Sequence, residues 1–239
     1  MRIATFLIAA TIAPCFAQSR PSDTFQTSAG AVRITPIMHA AVLIQAGGKN
    51  IYLDPAQGSL DGLPPADLIL ITDIHGDHMS QPMIDKIKQP ATVVWGPKAV
   101  ADKIHVDTVI GNGESKKWGD WGIEAVAAYN LKRGPAPGQL YHDKGRGNGY
   151  VMTYGGKRFY FSGDTEAVPE VLALKNIDVA FVCMNLPFTM TAQEAADAVR
   201  AFHPAIVYPY HYRGTDLNAF SSALAGSNIE VRIREWYPK

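Results

Sequence analysis

One stretch constrains this chain more than any other. Asp67-Leu68-Ile69-Leu70-Ile71-Thr72 is nearly continuous in apolar residues, and it runs directly into Asp73-Ile74-His75-Gly76-Asp77-His78. A short run without polar alternation suits a strand buried on both faces, which needs a covering layer above and below it. The residues that follow put four potential metal ligands within six positions. A loop at a strand's carboxyl end is where open α/β sheets place their sites. Imidazoles with carboxylates suit zinc, manganese or iron. If the segment is extended, alternation sets Asp73, His75 and Asp77 on one side and turns His78 to a second point. Such a cluster can serve two metals.

The rest of the chain supplies the layers. Val32–Ile37, Ala41–Gln45 and Asn50–Asp54 read as strands, with Gly47-Gly48 as a hairpin turn between the last two. Ser80 can cap a helix to about Lys88, with Met83, Ile84 and Ile87 on one side. Thr92–Trp95 returns to strand, and Pro97 can open a short helix. Trp121–Tyr129 is a further strand, followed by a turn-rich stretch from Asn130 to Asn148, a loop long enough to be functional. Gly149–Tyr154 and Arg158–Ser162 form a second hairpin around Gly155-Gly156. Beyond it, helix and strand alternate. A short helix near Val168–Leu174 leads to the strand Asp178–Cys183. Thr191-Ala192-Gln193-Glu194 is a capping box opening a helix with Ala195, Val199 and Phe202 inward, ended by Pro204. Ala205–Tyr208 is a strand, Asp216 caps a helix with Leu217, Phe220 and Leu224 inward, and Glu230–Arg234 is the last strand. Hairpins first and a βαβα alternation later predict two sheets flanked by helices.

Composition bounds the function. The 22 basic and 22 acidic residues cancel, which argues against a general nucleic-acid binder, since that needs a basic surface. Met1-Arg2, the apolar run Ile3–Ala13 and Cys15-Phe16-Ala17 read as a secretory signal peptide cut after Ala17. The run is too short to cross a bilayer, which takes about 20 residues, so no transmembrane segment is expected. The location implied is periplasmic or secreted. A lipoprotein anchored through Cys15 is the rival reading, and Pro14 before that cysteine is unusual for it. Removing 17 of the 239 residues leaves 222, expected to form a hydrolase-sized domain over 18–239. Only Cys183 then remains, inside the apolar run Val179–Cys183, so it reads as a packing residue and no internal disulfide is possible.

Three more candidate ligands follow apolar segments downstream. His142 lies in the long loop, Asp164 in Ser162-Gly163-Asp164-Thr165, and His211 in Tyr208-Pro209-Tyr210-His211-Tyr212. Singly, each could be a turn or strand-end residue. In this order, however, the chain resembles the metallo-β-lactamase superfamily. That family carries His-x-His-x-Asp-His after a buried strand, then a distant His, an Asp after a later strand, and a final His. Within it the chain looks most like the bacterial and archaeal metal-dependent hydrolases related to ascorbate-phosphate lactonases. Met38-His39-Ala40-Ala41, Ile51-Tyr52-Leu53-Asp54-Pro55, Tyr160–Thr165 and Pro209–Tyr212 carry this closer likeness.

The resemblance implies a mixed α/β, four-layer αββα sandwich with the site at one edge between the sheets. It implies that one metal takes His75, His142 and the residue at 73, that a second takes Asp77, His78 and His211, and that Asp164 bridges both. The cofactors are then two divalent ions, zinc first, with manganese or iron as alternatives. The implied chemistry is a metal-bridged hydroxide attacking an ester, lactone or phosphodiester centre of a small molecule, with Asp77 orienting the nucleophile or taking its proton. Many true β-lactamases have Cys where Asp164 stands, which turns the expectation away from β-lactams. His39 and Asp54 are implied to support the ligands. Lys132, Arg133, Lys144 and Arg146 flank His142 and could recognise an anionic substrate. One position departs from the pattern: Asp73 stands where the family has its first His. A carboxylate oxygen still binds zinc at about 2.0–2.2 Å. The departure leaves open a working site with a harder first metal, a site filled well only at the second metal, or an inactive relic, and the alternative function is a catalytically weak metal- or ligand-binding protein of the same fold.

Overall fold

Both residues of Gly47-Gly48 sit at positive φ, 58° and 72°, a conformation glycine adopts without steric cost and a two-residue hairpin needs. In the computed structural model, which describes residues 20–237, this turn joins β3 (Ala41–Ala46) to β4 (Lys49–Leu53). The expected leader, Met1–Ala17 with Cys15, lies outside the described residues. Ahead of the turn stand β1 (Asp23–Thr27) and β2 (Gly30–Met38), and after it β5 (Leu68–Leu70), α1 (Gln81–Ile87), β6 (Val93–Gly96), α2 (Lys98–Ala101) and β7 (Thr108–Val109). A second sheet follows: β8 (Ser115–Trp118), β9 (Trp121–Ala128), β10 (Gly147–Tyr154), β11 (Lys157–Phe161), β12 (Val179–Cys183), β13 (Ile206–Tyr210) and β14 (Glu230–Val231). Its helices are α3 (Pro169–Leu172), α4 (Ala192–Phe202) and α5 (Leu217–Ala223). Each sheet has seven strands in sequence order. In both, the first four are antiparallel neighbours and the last four pair in parallel. The halves share one plan, which no repeat in the sequence displays.

Side-chain alternation makes the layers. In the first sheet Val42, Ile44, Ile51, Leu53, Leu68 and Leu70 join the core between the sheets. Their alternates Leu43, Tyr52, Ile69 and Ile71 pack with Ile84 and Ile87 of α1 and Val100 of α2. Opposite, the rings of Phe161, Phe181 and Tyr208 stack at 4.6 and 4.7 Å across neighbouring parallel strands. Phe25 of β1 meets Phe159 edge-on at 5.6 Å, tying one sheet to the other. On the far face Tyr160 contacts Phe202 of α4. The order helix, sheet, sheet, helix is the αββα sandwich expected. Cys183 is fully buried, and burial pushes its thiol up to about 11, so it packs and does not react.

Several expectations change. The last strand, expected over Glu230–Arg234, is only Glu230–Val231. Glu230 and Arg232 donate to the carbonyls of Ala205 and Val207. The next rung needs an N–H at residue 209, and Pro209 has none. Ser80 stands at the N-cap of α1, but its side chain makes no capping bond: Pro82 at the second helical position has no N–H, and the Met83 amide donates to the Ser80 carbonyl instead. The strands β1, β7 and β8 are not legible in advance. They are short, and β1 and β8 have one buried residue between them, Phe25.

The capping box of α4 is present, with Thr191 Oγ1 accepting from the Glu194 amide and Glu194 accepting from the Thr191 amide. Glu194 also holds Lys132 at 2.7 Å and Arg133 at 2.6 Å, so it fastens the long loop to this helix. Burial opposes its ionisation, yet Lys132, the Thr191 amide and Arg133 bring its carboxyl from 4.5 down to about 2. A depressed value stabilises the fold fully above the unfolded value near 4.5, and that contribution fades as the pH falls towards 2. Glu194→Gln should therefore lower the urea midpoint at pH 6 and converge on the parent below pH 3. Parallel curves across that range would reject the assignment.

Candidate metal centre

Three strands end in the same unusual way. His39 after β2, Asp54 after β4 and His211 after β13 take positive φ values of 57°, 44° and 48°. Each such non-glycine residue costs on the order of 1–2 kcal/mol, and strain of this kind gathers at functional sites. The left-handed step turns each side chain off its strand and into the gap between the sheets. The steps are linked, since the His211 amide donates to the His39 carbonyl at 3.2 Å.

The segment after β5 is a turn rather than extended chain. The amides of His78 and Met79 both donate to the His75 carbonyl, at 3.0 and 2.9 Å. The alternation expected from the sequence therefore does not hold. The turn instead sends Asp73 and His75 one way and Asp77 and His78 another. Among the described residues three donor groups form, each with its atoms within 4.8 Å of one another: His39 with Asp77 and His211 to one side, and then the two that frame the centre, His78, Asp164 and His211, and Asp73, His75 and His142. Asp164 lies between these two. Its Oδ2 is 3.1 Å from His142 Nε2 and 3.3 Å from His78 Nε2, and its Oδ1 is 3.4 Å from His211 Nε2. Asp77 borders the His78 group, with Oδ2 3.3 Å from His211 Nε2 and 3.9 Å from His78 Nε2. The seven residues singled out in the sequence thus meet in one place.

Supporting residues fix the rings. Asp54, wholly buried, accepts from the Thr72 amide and hydroxyl and lies 2.8 Å from His78 Nδ1. Asn130 Oδ1 receives His142 Nδ1 at 2.7 Å. Such contacts leave the Nε2 of each ring free to point inward. His39 Nε2 donates to Asp77 Oδ2 at 3.0 Å, while its Nδ1 accepts from the Tyr237 hydroxyl at 2.6 Å, the tautomer this network assigns. Burial lowers the value of His39 below 6.5 and outweighs the pull of Asp77, in keeping with a neutral ring. Burial also opposes ionisation of Asp164, but His211 and His78 hold its carboxyl well below the usual range. At Asp77 the bonds from His211 and His39 likewise overcome burial. Burial disfavours the His78 cation, yet Asp164 and Asp54 raise its value well above 6.5.

Nine buried side-chain atoms among the described residues have no hydrogen-bond partner, and three of them, His78 Nε2, His142 Nε2 and Asp164 Oδ1, gather at this centre. Their contacts are at ion-pair distance but not in hydrogen-bond alignment. Buried polar atoms are almost always paired, so these three atoms around one point fit a divalent cation, whose binding would take the place of the proton on His78. The sites are therefore matched to the metal that the sequence resemblance implies.

Some of the machinery was not foreseen. Glu166, buried, accepts from Asn130 Nδ2 and from the amides of Leu131, Lys132 and Arg133, which anchors the loop carrying His142. Tyr237 and Asn130 gave no local signal. Tyr141 and Phe188 meet edge-on at 5.0 Å and line a cleft with His75, Asp77, His142 and Asp164. The four cations expected to meet an anion already have carboxylates of the chain as partners. Lys132 and Arg133 pair with Glu194, Lys144 with Glu170, and Arg146 with Asp73.

Known proteins are similar to this chain in sequence and fold. A UPF0173 metal-dependent hydrolase of Thermococcus kodakarensis is 30% identical over 195 residues, covering 76% of this chain and 84% of the relative. A crystal structure from Parabacteroides distasonis, of a protein assigned as a metal-dependent hydrolase, superposes with a TM-score of 0.87 at 38% identity, over 92% of this chain and 100% of that one. A metallo hydrolase from Ignicoccus hospitalis shares the fold at 22% identity, with a TM-score of 0.71 over 85% and 95% of the two chains. Residues 33–211, from β2 to the last histidine of the centre, match the family described as Beta-lactamase superfamily domain. The chain belongs to the metallo-β-lactamase superfamily.

Proposed function

We propose that this metal-dependent hydrolase cleaves ester or lactone bonds of small, uncharged molecules with an apolar substituent. The observation that carries the reading is the cleft itself, where unpaired donors at its floor face Tyr141 and Phe188 at its wall. A divalent cation bound there supplies Lewis acidity, lowering the pKa of water towards neutrality and offsetting negative charge on the reacting oxygen. Zinc is the metal this imidazole-rich set favours, with two positions offered and manganese or iron as alternatives. Asp77 is 29% exposed, the most open carboxylate of the centre. With Oδ2 engaged by His39, Oδ1 remains to accept a hydrogen bond from the attacking water. Its histidine partners hold this carboxylate ionised, placed to orient the nucleophile and accept its proton. Tyr141 and Phe188 give the substituent an apolar wall. With the nearby cations engaged by Glu194, Glu170 and Asp73, nothing in the wall favours a phosphodiester. The leader at Met1–Ala17 supports export to the periplasm or medium.

The test is metal analysis of the purified protein with a paired substrate panel. p-Nitrophenyl butyrate and an alkyl γ-lactone should turn over at least about ten-fold faster than bis(p-nitrophenyl) phosphate, the scale on which apolar pockets discriminate. Phe188→Ala should raise KM for the butyrate about ten-fold with kcat little changed. Chelation should abolish turnover and zinc restore it. Faster phosphodiester cleavage would reject the ester reading. The rival, a binding protein of this fold with little catalysis, is favoured only by the pairing of Asp73 with Arg146. Bound zinc without turnover of any of the three substrates would establish it.

A further inference from the structure

The two donor groups are alike in residue type and unlike in charge. Asp77 and Asp164 have only histidines as ion-pair partners among the described residues. Asp73 has an arginine. Arg146 Nε donates to Asp73 Oδ1 at 2.9 Å and Nη2 to Oδ2 at 3.0 Å. This is the two-pronged geometry that makes arginine–carboxylate pairs strong and directional. His75 Nδ1 lies 2.9 Å from the same Oδ2, so both oxygens of Asp73 are engaged within the protein. Asp73 is 2% exposed and Arg146 only 18%, which leaves little water to screen the pair.

The arginine is held in place by the backbone around it. Its amide donates to the Asp143 carbonyl at 3.2 Å. Directly after it β10 begins against the metal-binding segment, with the Asn148 amide donating to the Thr72 carbonyl at 2.9 Å. A Cβ at Gly147 would lie 3.4 Å from Asp73 Oδ1. The start of β10 therefore fixes where the guanidinium sits. A histidine at position 73 would offer this guanidinium no negative partner. The aspartate and the arginine are complementary, and together they put a permanent positive charge beside the outer donor group.

We propose that Arg146 is a built-in cation that restricts the outer position, so that the chain binds one metal tightly through His78, Asp164, His211 and Asp77 and a second only weakly through Asp73, His75 and His142. This rests on the metal-hydrolase reading above. A second divalent ion must compete with the guanidinium for Asp73 and lie close to its charge. The inner group has no such competitor.

Zinc binding to the full chain, stripped of metal and titrated against a chromophoric chelator, tests this. The parent should bind one zinc tightly and a second at least about ten-fold more weakly. Arg146→Gln should tighten the second step by about 10–100-fold, the range for residues that contact metal ligands, and leave the first unchanged. Arg146→Lys keeps the positive charge and should stay close to the parent, which separates charge from mere loss of packing. Cobalt gives a second readout, because the visible band of the second equivalent should gain intensity at lower cobalt in Arg146→Gln. Two equal zinc steps in the parent, or an unchanged second step in Arg146→Gln, overturns the role of Arg146 and leaves the hydrolase reading intact. No zinc binding by the parent overturns both.

Discussion

Asp77→Ala should lose about 10²–10⁴-fold in ester turnover, the range for removing a positioned proton acceptor, while the protein stays folded. The side chain is 29% exposed, and its loss removes the hydrogen bond from His39 and the 3.3 Å contact with His211 Nε2, without opening the core. His78→Ala should lose activity to a similar degree for a different reason, and it should also lose stability. His78 is wholly buried and stands between Asp164 at 3.3 Å and Asp54 at 2.8 Å. Its removal takes the ion-pair partner from buried Asp54 and one of three from buried Asp164. Breaking a buried pair in this way costs about 3–5 kcal/mol, or roughly 6–20 °C in Tm for a chain of this size. Thermal unfolding followed by circular dichroism, run beside the ester assay, separates the two. An inactive Asp77→Ala with an unchanged Tm beside an inactive and destabilised His78→Ala is the expected pattern. Retained turnover in Asp77→Ala would remove Asp77 from the chemistry.

The ease of reading this centre from the sequence followed the distance between partners. His75, Asp77 and His78 announce themselves because chemistry and neighbourhood coincide within one turn. Asp164 and His211 are ordinary strand-end residues until their order along the chain is compared with a family pattern. Arg146 was visible as a cation beside His142. Its partner lies 73 residues away, and only folding brings Asp73 to it. Glu166 is harder still. A buried acid that binds three amides of residues 131–133 has no local signature, because the loop that satisfies it is itself irregular. The same reasoning covers the strands. Buried β5 was conspicuous as an apolar run, whereas β8, Ser-Lys-Lys-Trp at a sheet edge, owes its conformation to hydrogen bonds with β9. Backbone strain was invisible too, since His39, Asp54 and His211 take positive φ only because the surrounding layers impose it.

Gly163→Ala should be among the most damaging single changes outside the donors themselves. Gly163 precedes Asp164 at φ 59°. A Cβ there would lie 2.5 Å from the Asn148 carbonyl oxygen and 3.2 Å from Thr72 Cβ. Both neighbours are held, Asn148 within β10 and Thr72 by Asp54. The Gly163 amide is itself fixed by the Tyr210 hydroxyl at 2.9 Å. The left-handed backbone costs about 1–2 kcal/mol in alanine, and forcing a methyl against packed backbone adds about 1–3 kcal/mol. A fall in Tm of roughly 5–15 °C follows for a chain this long. Gly156→Ala is the control. It too has positive φ, 81°, but nothing lies within 4 Å of its Cβ, so it should show the backbone cost alone. The distinguishing measurement is zinc affinity. Relief of the Gly163 clash must move Asp164, the carboxylate between the two donor groups, so binding should weaken about 10–100-fold. Gly156→Ala lies at the far end of the β10–β11 hairpin and should bind zinc like the parent. Equal losses of stability in the two variants, with zinc affinity intact in both, would mean that the chain can shift β10 away from Gly163 without disturbing the centre.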